Sequence, residues 1–371
     1  MRKLLFLMLG LATAACSPRK AGKTDNGNDE LTMLVGTYTD GESKGIYTFR
    51  FNQSTGNATV LSSIEVPNPS YLVPSEDGRF VYAVSEMNDS TAALNAFSFD
   101  KATGQLRLLN RQLTMGADPC YVSTNGKEVL TANYSSGSMS VFPLKKDGSL
   151  EPADSLFEGS TGGPDANRQA TPHVHCAVFS PDGNYIFATD FSADRILRFV
   201  MHPKSLIPHP SAEAIEVEPD FGPRHLTFSP NGKYAYLIGE LSGNIVAFSY
   251  LEGKLEKIQT ISADTLRARG SADIHLSPDG KYLYASNRLK NDGIAIFEVN
   301  PETGMLAKVA YQPTGVHPRN FAITPNGKFL LVACRDSRMI QVFQRDPVTG
   351  LLHDTHQYIT VDKPVCIQFV E

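Results

Sequence analysis

The sequence lacks the features by which several classes of protein are recognised. Its 371 residues include no tryptophan and only five cysteines, no two of which form a C-x-x-C pair, and its net charge is −5. Without a basic excess, the chain is not expected to bind the phosphate backbone of nucleic acids. Without paired ligand spacing, we expect neither a zinc site nor any other metal or cofactor. What remains is an ordinary globular composition, 41% hydrophobic, whose length allows one large domain or a few smaller ones.

The first 30 residues differ from the rest of the chain. Arg2 and Lys3 precede an apolar run over residues 4–11, which is too short to span a bilayer. Small residues then lead to Cys16, a pattern typical of a bacterial lipoprotein signal. We therefore predict a signal peptide over residues 1–15, a lipid on Cys16 and a flexible, polar tether over residues 16–30.

Such a protein would be an exported monomer, held at the periplasmic face or in the outer membrane. The alternatives are a plain secretory signal with an incidental cysteine or, if there is no signal, a cytoplasmic protein. Export would permit disulfides among the other four cysteines. Their apolar, strand-like surroundings favour small buried residues instead: Cys120, Cys176, Cys334 and Cys366.

One sequence pattern occurs six times along the chain. A loop leads into a short strand, a turn resembling Ser-Pro-Asp-Gly and a second, apolar strand. The glycines of these turns lie 47 to 57 residues apart: Gly78, Gly126, Gly183, Gly232, Gly280 and Gly327. A third strand, a polar turn and a fourth strand complete each copy. Alternating apolar residues with regular turns indicate antiparallel β-structure, and four strands per unit at this period are typical of a β-propeller blade.

The two ends of the repeat region complete the count. The segment from Leu31 matches the second strand of a unit, and the segment from Lys363 matches a first strand and then stops. We therefore predict an all-β, seven-bladed propeller over residues 31–371. The C-terminal strand is expected to join the first blade and close the ring, which removes the exposed sheet edges.

Propeller geometry predicts where polar residues meet. The first strands begin, and the second strands end, at the same mouth of the central channel. The loops entering the first strands offer eleven candidates: Ser70, Tyr71, Tyr121, His173, His175, Arg224, His225, Asp273, His275, Arg319 and Asn320. The ends of the second strands offer seven: Thr37, Glu86, Asn133, Asp190, Glu240, Arg288 and Arg335. Charges at a partly buried mouth need partners or a ligand, so we predict a functional site there.

Six motifs make the region from about Leu31 onwards resemble the seven-bladed lactonase family. They are LVGTYT from Leu34, PHVH from Pro172, GPRH from Gly222, GELSG from Gly239, ASNR from Ala285 and HPRN from His317. Bacterial propeller-type 6-phosphogluconolactonases and a fungal muconate-cyclising enzyme are similar to this family. The resemblance implies hydrolysis of a lactone, and it implies four active-site residues in the two sets above: His175, Arg224, Glu240 and Arg288.

The chemistry assigns roles to these residues. His175 or Glu240 is the candidate base for the attacking water, and the arginines are candidates for holding an oxyanion or a substrate anion. Further substrate contacts are expected from His173, His225, Arg319, Arg335, Asp190 and Glu86. The alternatives are that His175 only bonds a loop carbonyl, that Glu240 and Arg288 form a structural ion pair, and that Asp190 and Glu86 bind Ca²⁺.

The substrate and the activity both have alternatives at this point. Four arginines favour an anionic lactone. Because 6-phosphogluconolactone is an intracellular metabolite and the chain has an export signal, another sugar or organic-acid lactone is an open alternative. Two other functions also fit a propeller: non-catalytic binding of a carbohydrate or protein, and a lyase reaction on muconate-type acids.

Overall fold

Seven four-stranded antiparallel sheets form the blades of a propeller, which confirms the fold predicted from the repeats. A computed structural model describes residues 29–201 and 209–370 of the chain. The predicted signal peptide, Cys16 and the tether up to residue 28 lie outside the described residues. Within the described part, no helix has the length and apolar character to cross a membrane.

The strands follow one another in chain order, with four to each blade. Blade 1 consists of β28 (Pro364–Val370), β1 (Glu30–Thr37), β2 (Gly45–Asn52) and β3 (Ala58–Glu65). Blades 2 and 3 are β4 (Leu72–Pro74), β5 (Phe80–Ser85), β6 (Ala93–Asp100) and β7 (Gln105–Leu113), then β8 (Pro119–Thr124), β9 (Glu128–Asn133), β10 (Ser138–Pro143) and β11 (Ser155–Glu158). Blades 4 and 5 are β12 (Val174–Phe179), β13 (Tyr185–Asp190), β14 (Arg195–Val200) and β15 (His209–Glu216), then β16 (Pro223–Phe228), β17 (Tyr234–Gly239), β18 (Asn244–Leu251) and β19 (Lys254–Ser262). Blades 6 and 7 are β20 (Ser271–Leu276), β21 (Tyr282–Asn287), β22 (Gly293–Val299) and β23 (Leu306–Pro313), then β24 (Pro318–Ile323), β25 (Phe329–Cys334), β26 (Met339–Arg345) and β27 (Leu352–Thr360). A 3₁₀ turn at Phe191–Ala193 follows β13.

The ring is closed by the two ends of the chain, as predicted. The C-terminal strand β28 pairs with β1 from Thr32↔Val370 to Thr37↔Pro364. Each innermost strand contacts the innermost strand of the next blade, and β28 contacts both β24 and β4. The propeller begins one residue earlier than Leu31, because Glu30 already pairs with Asn52. Glu30 lies on the face that carries the Ser-Pro-Asp-Gly turns, and Thr37 lies on the opposite face, where the inner strands begin. We call that opposite face the mouth.

The same side-chain hydrogen bonds stabilise the recurring turn in five blades. The hydroxyl of its first residue donates to the Asp or Asn two positions on and accepts the N–H of the residue that starts the next strand, as in Ser277 with Asp279 and Tyr282. The turn glycine has a φ near +65° to +80° in every copy, a conformation that glycine adopts without strain. Ser or Thr, Asp or Asn, and Gly are therefore required at these positions.

Buried apolar side chains between neighbouring blades form the core, and tyrosines connect blade to blade. The hydroxyls of Tyr236 and Tyr284 in second strands donate to the carbonyls of Gly304 and Gly350 in the outer turns of the following blades, at 3.0 and 2.8 Å. A side chain at Gly304 would collide with the Tyr234 ring. These contacts join blade 5 to blade 6 and blade 6 to blade 7.

Candidate active site

The mouth of the channel receives one side chain from the residue that follows each second strand. The backbone N–H of each of these residues bonds the carbonyl of a residue in the segment that leads into the inner strand, as Glu240 bonds Gly222 and Arg288 bonds Gly270. This hydrogen bond identifies seven equivalent positions: Tyr38, Glu86, Tyr134, Phe191, Glu240, Arg288 and Arg335.

The predicted set of seven is therefore corrected in three blades, where it lies one residue too early. Thr37, Asn133 and Asp190 are the last residues of their strands and are fully buried. Each bonds partners away from the charged residues of the mouth: Asp190, for example, accepts from Arg195 and from the Ser160 N–H. Because successive side chains of a strand point to opposite faces, a shift of one residue turns the side chain away. Asp190 is thus not part of the charged mouth, and Phe191 takes its place.

Glu240 lies at the centre of a cluster of arginines. One carboxylate oxygen accepts from Arg224 Nε at 2.9 Å and lies 3.4 Å from Arg288 Nη2, and the other accepts from Arg168 Nη2 at 2.7 Å. The side chains of Arg224 and Arg288 are almost fully buried. Burial raises the pKa of Glu240, but the three arginines outweigh it and lower that pKa to about 2. Glu240 is therefore an anion at any physiological pH.

His175 lies beside this cluster and is uncharged. It is buried, with Nδ1 3.8 Å from the Cys120 Sγ, and its ring meets the rings of Tyr134 and His225 edge-on. Burial, Arg224 and His225 together lower the pKa of His175 well below its usual value. The Cys120 thiol donates to the His175 carbonyl, and burial raises the pKa of that thiol, so the pair is not a thiolate–imidazolium nucleophile.

Two further groups of side chains extend the site across the mouth. Tyr38 donates to Glu86 at 3.0 Å and lies under the Arg319 guanidinium, 5.5 Å from ring centroid to Cζ. Burial raises the pKa of Glu86, although Arg319 and hydrogen bonds oppose the shift.

On the other side, His317 lies between two arginines. It is 3.3 Å from Arg288 and 3.2 Å from Arg335, and Arg335 forms a bidentate pair with Asp336. Five arginines and three carboxylates thus meet at the mouth, which leaves an excess of positive charge.

The structure brings together most of the residues predicted from the sequence. His175, Arg224, Glu240 and Arg288 form the central group, with Glu86, Arg319 and Arg335 around it. His173 lies at the rim, where its ring stacks on Tyr134 at 4.2 Å and bonds the Tyr134 carbonyl. His225 lies one level deeper in the channel, against Arg224.

Sequence reasoning missed Arg168, Tyr134 and His317. Arg168 lies on the loop between β11 and β12, outside the repeated pattern, and reaches over the mouth to Glu240 while lying on the Phe191 ring. The repeat spacing does indicate an additional loop here, because the turn glycines Gly126 and Gly183 are 57 residues apart, whereas the other intervals are 47 to 49. The additional length is the loop that carries Arg168.

The four cysteines of the propeller are buried and unpaired. Residues 41–45 read G-x-S-x-G, with Ser43 at the centre. In nucleophilic hydrolases that pattern forms a strand-to-helix elbow. Here Ser43 lies in the loop between β1 and β2, and its hydroxyl bonds the Thr37 hydroxyl at 2.6 Å. It is therefore not placed as a nucleophile.

The fold agrees with what comparison with known proteins shows. Residues 32–369 match the family described as lactonase, 7-bladed beta-propeller, and the chain therefore belongs to that family. Among its relatives are the 6-phosphogluconolactonases of Formosa agariphila, 38% identical over 91% of this chain and 98% of that protein, and of Bacillus subtilis, 36% identical over 91% and 97%.

Solved structures agree as well. A Bacteroides uniformis protein provisionally assigned as a 6-phosphogluconolactonase is 77% identical, with a TM-score of 0.92, over 92% of this chain and all of that one. The periplasmic gluconolactonase of Pseudomonas aeruginosa is 34% identical, with a TM-score of 0.87, over 92% and 99%.

Proposed function

We propose that this protein hydrolyses the ring ester of a sugar lactone to the open hydroxy acid. The observation that carries the proposal is the mouth itself: a carboxylate held by three arginines beside a buried, neutral histidine, in a chain of the lactonase family. The relatives named 6-phosphogluconolactonase and gluconolactonase support this class of substrate.

In the proposed reaction, water attacks the lactone carbonyl and His175 accepts its proton. A neutral imidazole has a lone pair available for this step at physiological pH, and an anionic substrate bound nearby would raise its pKa toward the working range. Glu240 is a poor alternative base, because three arginines stabilise its anion. Its proposed role is to hold Arg224 and Arg288 with their remaining donors toward the oxyanion. The ring C–O bond then breaks, and the leaving alkoxide takes the proton held by His175, which restores the neutral imidazole.

The excess of arginine at the mouth favours a lactone that bears a negative charge. A carboxylate or phosphate on the substrate would pair with Arg319, Arg335 or Arg168, each of which is partly exposed. The partly exposed aromatic rings of Tyr38 and Tyr134 form the other part of the wall and exclude water from the bound ring. An exported enzyme acting on an extracytoplasmic sugar lactone is consistent with the predicted signal and with the periplasmic relative.

The test is hydrolysis by the purified protein, followed as acid release at constant pH. Glucono-δ-lactone, 6-phosphogluconolactone and a muconate are offered in parallel. We expect lactone hydrolysis that Arg224→Ala lowers by about 10²–10³-fold, the usual effect of removing one oxyanion donor. Arg79→Ala is the matched control, because Arg79 is exposed on the opposite face, where it pairs with Asp77 and lies over the Phe80 ring; it should leave the rate unchanged.

Other outcomes would replace the proposal. Tight binding of a lactone without turnover would indicate a binding propeller, and turnover of the muconate alone would indicate a lyase. Equal rates for Arg224→Ala and the wild type would remove this cluster from the mechanism.

A further inference from the structure

A second layer of side chains closes the channel beneath the mouth. The seven inner strands place there, at equivalent positions, Tyr71, Tyr121, Cys176, His225, Asp273, Asn320 and Cys366. The tyrosine rings contact each other at 4.4 Å, and Tyr121 meets the ring of His225. In this layer of aromatic rings, thiols and amides, Asp273 is a carboxylate with only 1% of its surface exposed. Such a group requires an explanation.

Asp273 is held by donors from three blades. Its oxygens accept from His225 Nδ1 at 2.8 Å, from His275 Nε2 at 2.9 Å and from Asn320 Nδ2 at 2.5 Å, as well as from the backbone N–H of Ile274. Burial opposes its ionisation, but His275 and His225 outweigh burial and hold the pKa of Asp273 well below its usual range. The carboxylate is therefore a fixed acceptor for the two histidines.

The hydrogen bonds of His225 determine where its proton lies. Arg224 Nη1 approaches His225 Nε2 at 3.2 Å. A guanidinium has only donors, so Nε2 must accept, and the ring proton is then on Nδ1, which donates to Asp273. Burial and Arg224 lower the pKa of His225 to about 4, in keeping with a neutral ring.

Arg224 is thereby fixed on three sides. Nη1 donates to His225 and, at 2.6 Å, to the Ala272 carbonyl, while Nε donates to Glu240. The sequence Asp273, His225, Arg224, Glu240 forms an unbroken line of hydrogen bonds from the closed layer up to the mouth. Asp273 thus orients His225, and His225 in turn orients the Arg224 guanidinium, in the way that the third group of a catalytic triad orients the base.

We propose that Asp273 and His225 are positioning residues for the reaction, acting through Arg224. The inference rests on the proposed function, since it names the supports of a group in that same site. A purely structural Asp273, which only joins blades 5, 6 and 7, would depend equally on each of its donors. If Asp273 acts by positioning, the reaction rate depends on its bond to His225, because His225 contacts Arg224. The rate does not depend on His275, which extends toward the opposite face and whose side chain is 34% exposed.

The experiment compares four variants of the full chain. Asp273→Asn and His225→Phe interrupt the line, and His225→Gln keeps an acceptor for Arg224 and a donor for Asp273. His275→Phe removes a donor of the same carboxylate outside the line and is the matched control for His225→Phe. We expect kcat on a sugar lactone to fall about 10- to 100-fold for the first two, the range for orienting groups behind a reactive one, with KM within about threefold. His225→Gln should recover most of the rate, and His275→Phe should remain within about twofold of the wild type.

A second readout does not depend on turnover. Long-range ¹H–¹⁵N NMR of the histidine rings should show His225 as the neutral Nδ1–H tautomer, assigned by its loss in His225→Phe. The Nδ1–H proton of His225, which is bonded to a carboxylate, should resonate downfield, move upfield in Asp273→Asn, where its acceptor is neutral, and keep its position in His275→Phe. A rate loss in His275→Phe equal to that of Asp273→Asn, no recovery in His225→Gln, or an unmoved Nδ1–H resonance in Asp273→Asn would each overturn the proposal. If the wild type hydrolyses no lactone, the proposed function fails by itself, and the NMR comparison still decides whether Asp273 sets His225. If Asp273→Asn does not fold, the His225→Phe and His225→Gln pair decides.

Discussion

Replacing Glu240 by glutamine tests how much of the propeller's stability depends on its mouth. The substitution removes one charge with little change of volume and leaves Arg224 and Arg288, whose side chains are 2% and 6% exposed, without their carboxylate. Removing one partner of a buried ion pair costs about 3–5 kcal/mol. Independently, a pKa lowered from 4.5 to about 2 in the folded state corresponds to ~3 kcal/mol. We therefore expect a loss of about 3–4 kcal/mol in the free energy of unfolding.

Calorimetry converts this loss into a temperature. A domain of about 340 residues unfolds with an entropy of about 0.7 kcal/mol/K, so Glu240→Gln should lower Tm by about 4–6 °C at pH 7. Because the folded-state pKa is depressed, the stabilisation is fully present above about pH 4.5 and is lost as the pH falls toward 2. The Tm difference between the variant and the wild type should therefore shrink below pH 4.5.

The matched control is Glu256→Gln. Glu256 pairs with Lys254 at 3.1 Å, but both side chains are about two-thirds exposed, so the change should cost at most about 1 kcal/mol. The reasoning is refuted if Glu240→Gln lowers Tm by less than 1 °C at pH 7, or if the gap stays constant on acidification.

Two other predictions concern the ring and its thiols. Ending the chain before Pro364 removes β28 and leaves β1 as an open edge, so the truncated protein should be unfolded or aggregated by circular dichroism and size-exclusion chromatography; a folded monomer would contradict the closure. In a Cys16→Ser chain the remaining four cysteines are buried, and burial raises the pKa of Cys176, Cys334 and Cys366 to about 12 and raises that of Cys120 as well. Ellman's reagent should therefore label none of them until denaturant unfolds the protein, and rapid labelling of the native protein would show that the mouth opens to solvent.

The fold was predictable because its cause is local and repeated. Each turn needs a Ser or Thr, an Asp or Asn, and a glycine at positive φ, and the strands between the turns alternate with period two. Six copies of these constraints leave little freedom, and the unmatched ends at Leu31 and Lys363 determined the closure.

The mouth was less predictable, because side-chain direction changes with a single residue. Glu240 and Arg288 follow the last residue of their strands and point to the channel. Asp190 is the last residue of its strand, one position earlier than Glu240 and Arg288 are in theirs, and the apolar pattern does not reveal this difference. Its side chain points away from the channel, to Arg195. Polarity alone could not distinguish channel-facing residues from Asp190, because a buried carboxylate paired with an arginine at a strand end is as polar as a residue of a functional site.

The contribution of Arg168 could not be read from the repeat, because its loop belongs to no blade. A loop can place a side chain over any neighbour, and the contact of Arg168 with Glu240 joins residues 72 positions apart. The His225–Asp273 contact joins two blades in the same way. The sequence placed His225 and Asp273 in inner strands. It did not give the direction of their hydrogen bonds, because that direction depends on which neighbouring side chain is an arginine.

The position of Glu30 has a consequence for orientation. The chain enters the propeller there, at the end of the channel farthest from the arginines, and an inner strand of six residues separates the two ends by about 20 Å. Any attachment made through the N-terminal segment, a lipid on Cys16 or an engineered surface linkage, would therefore reach the propeller on the side opposite the mouth. The point of attachment would not cover the mouth, and small solutes would reach it by diffusion.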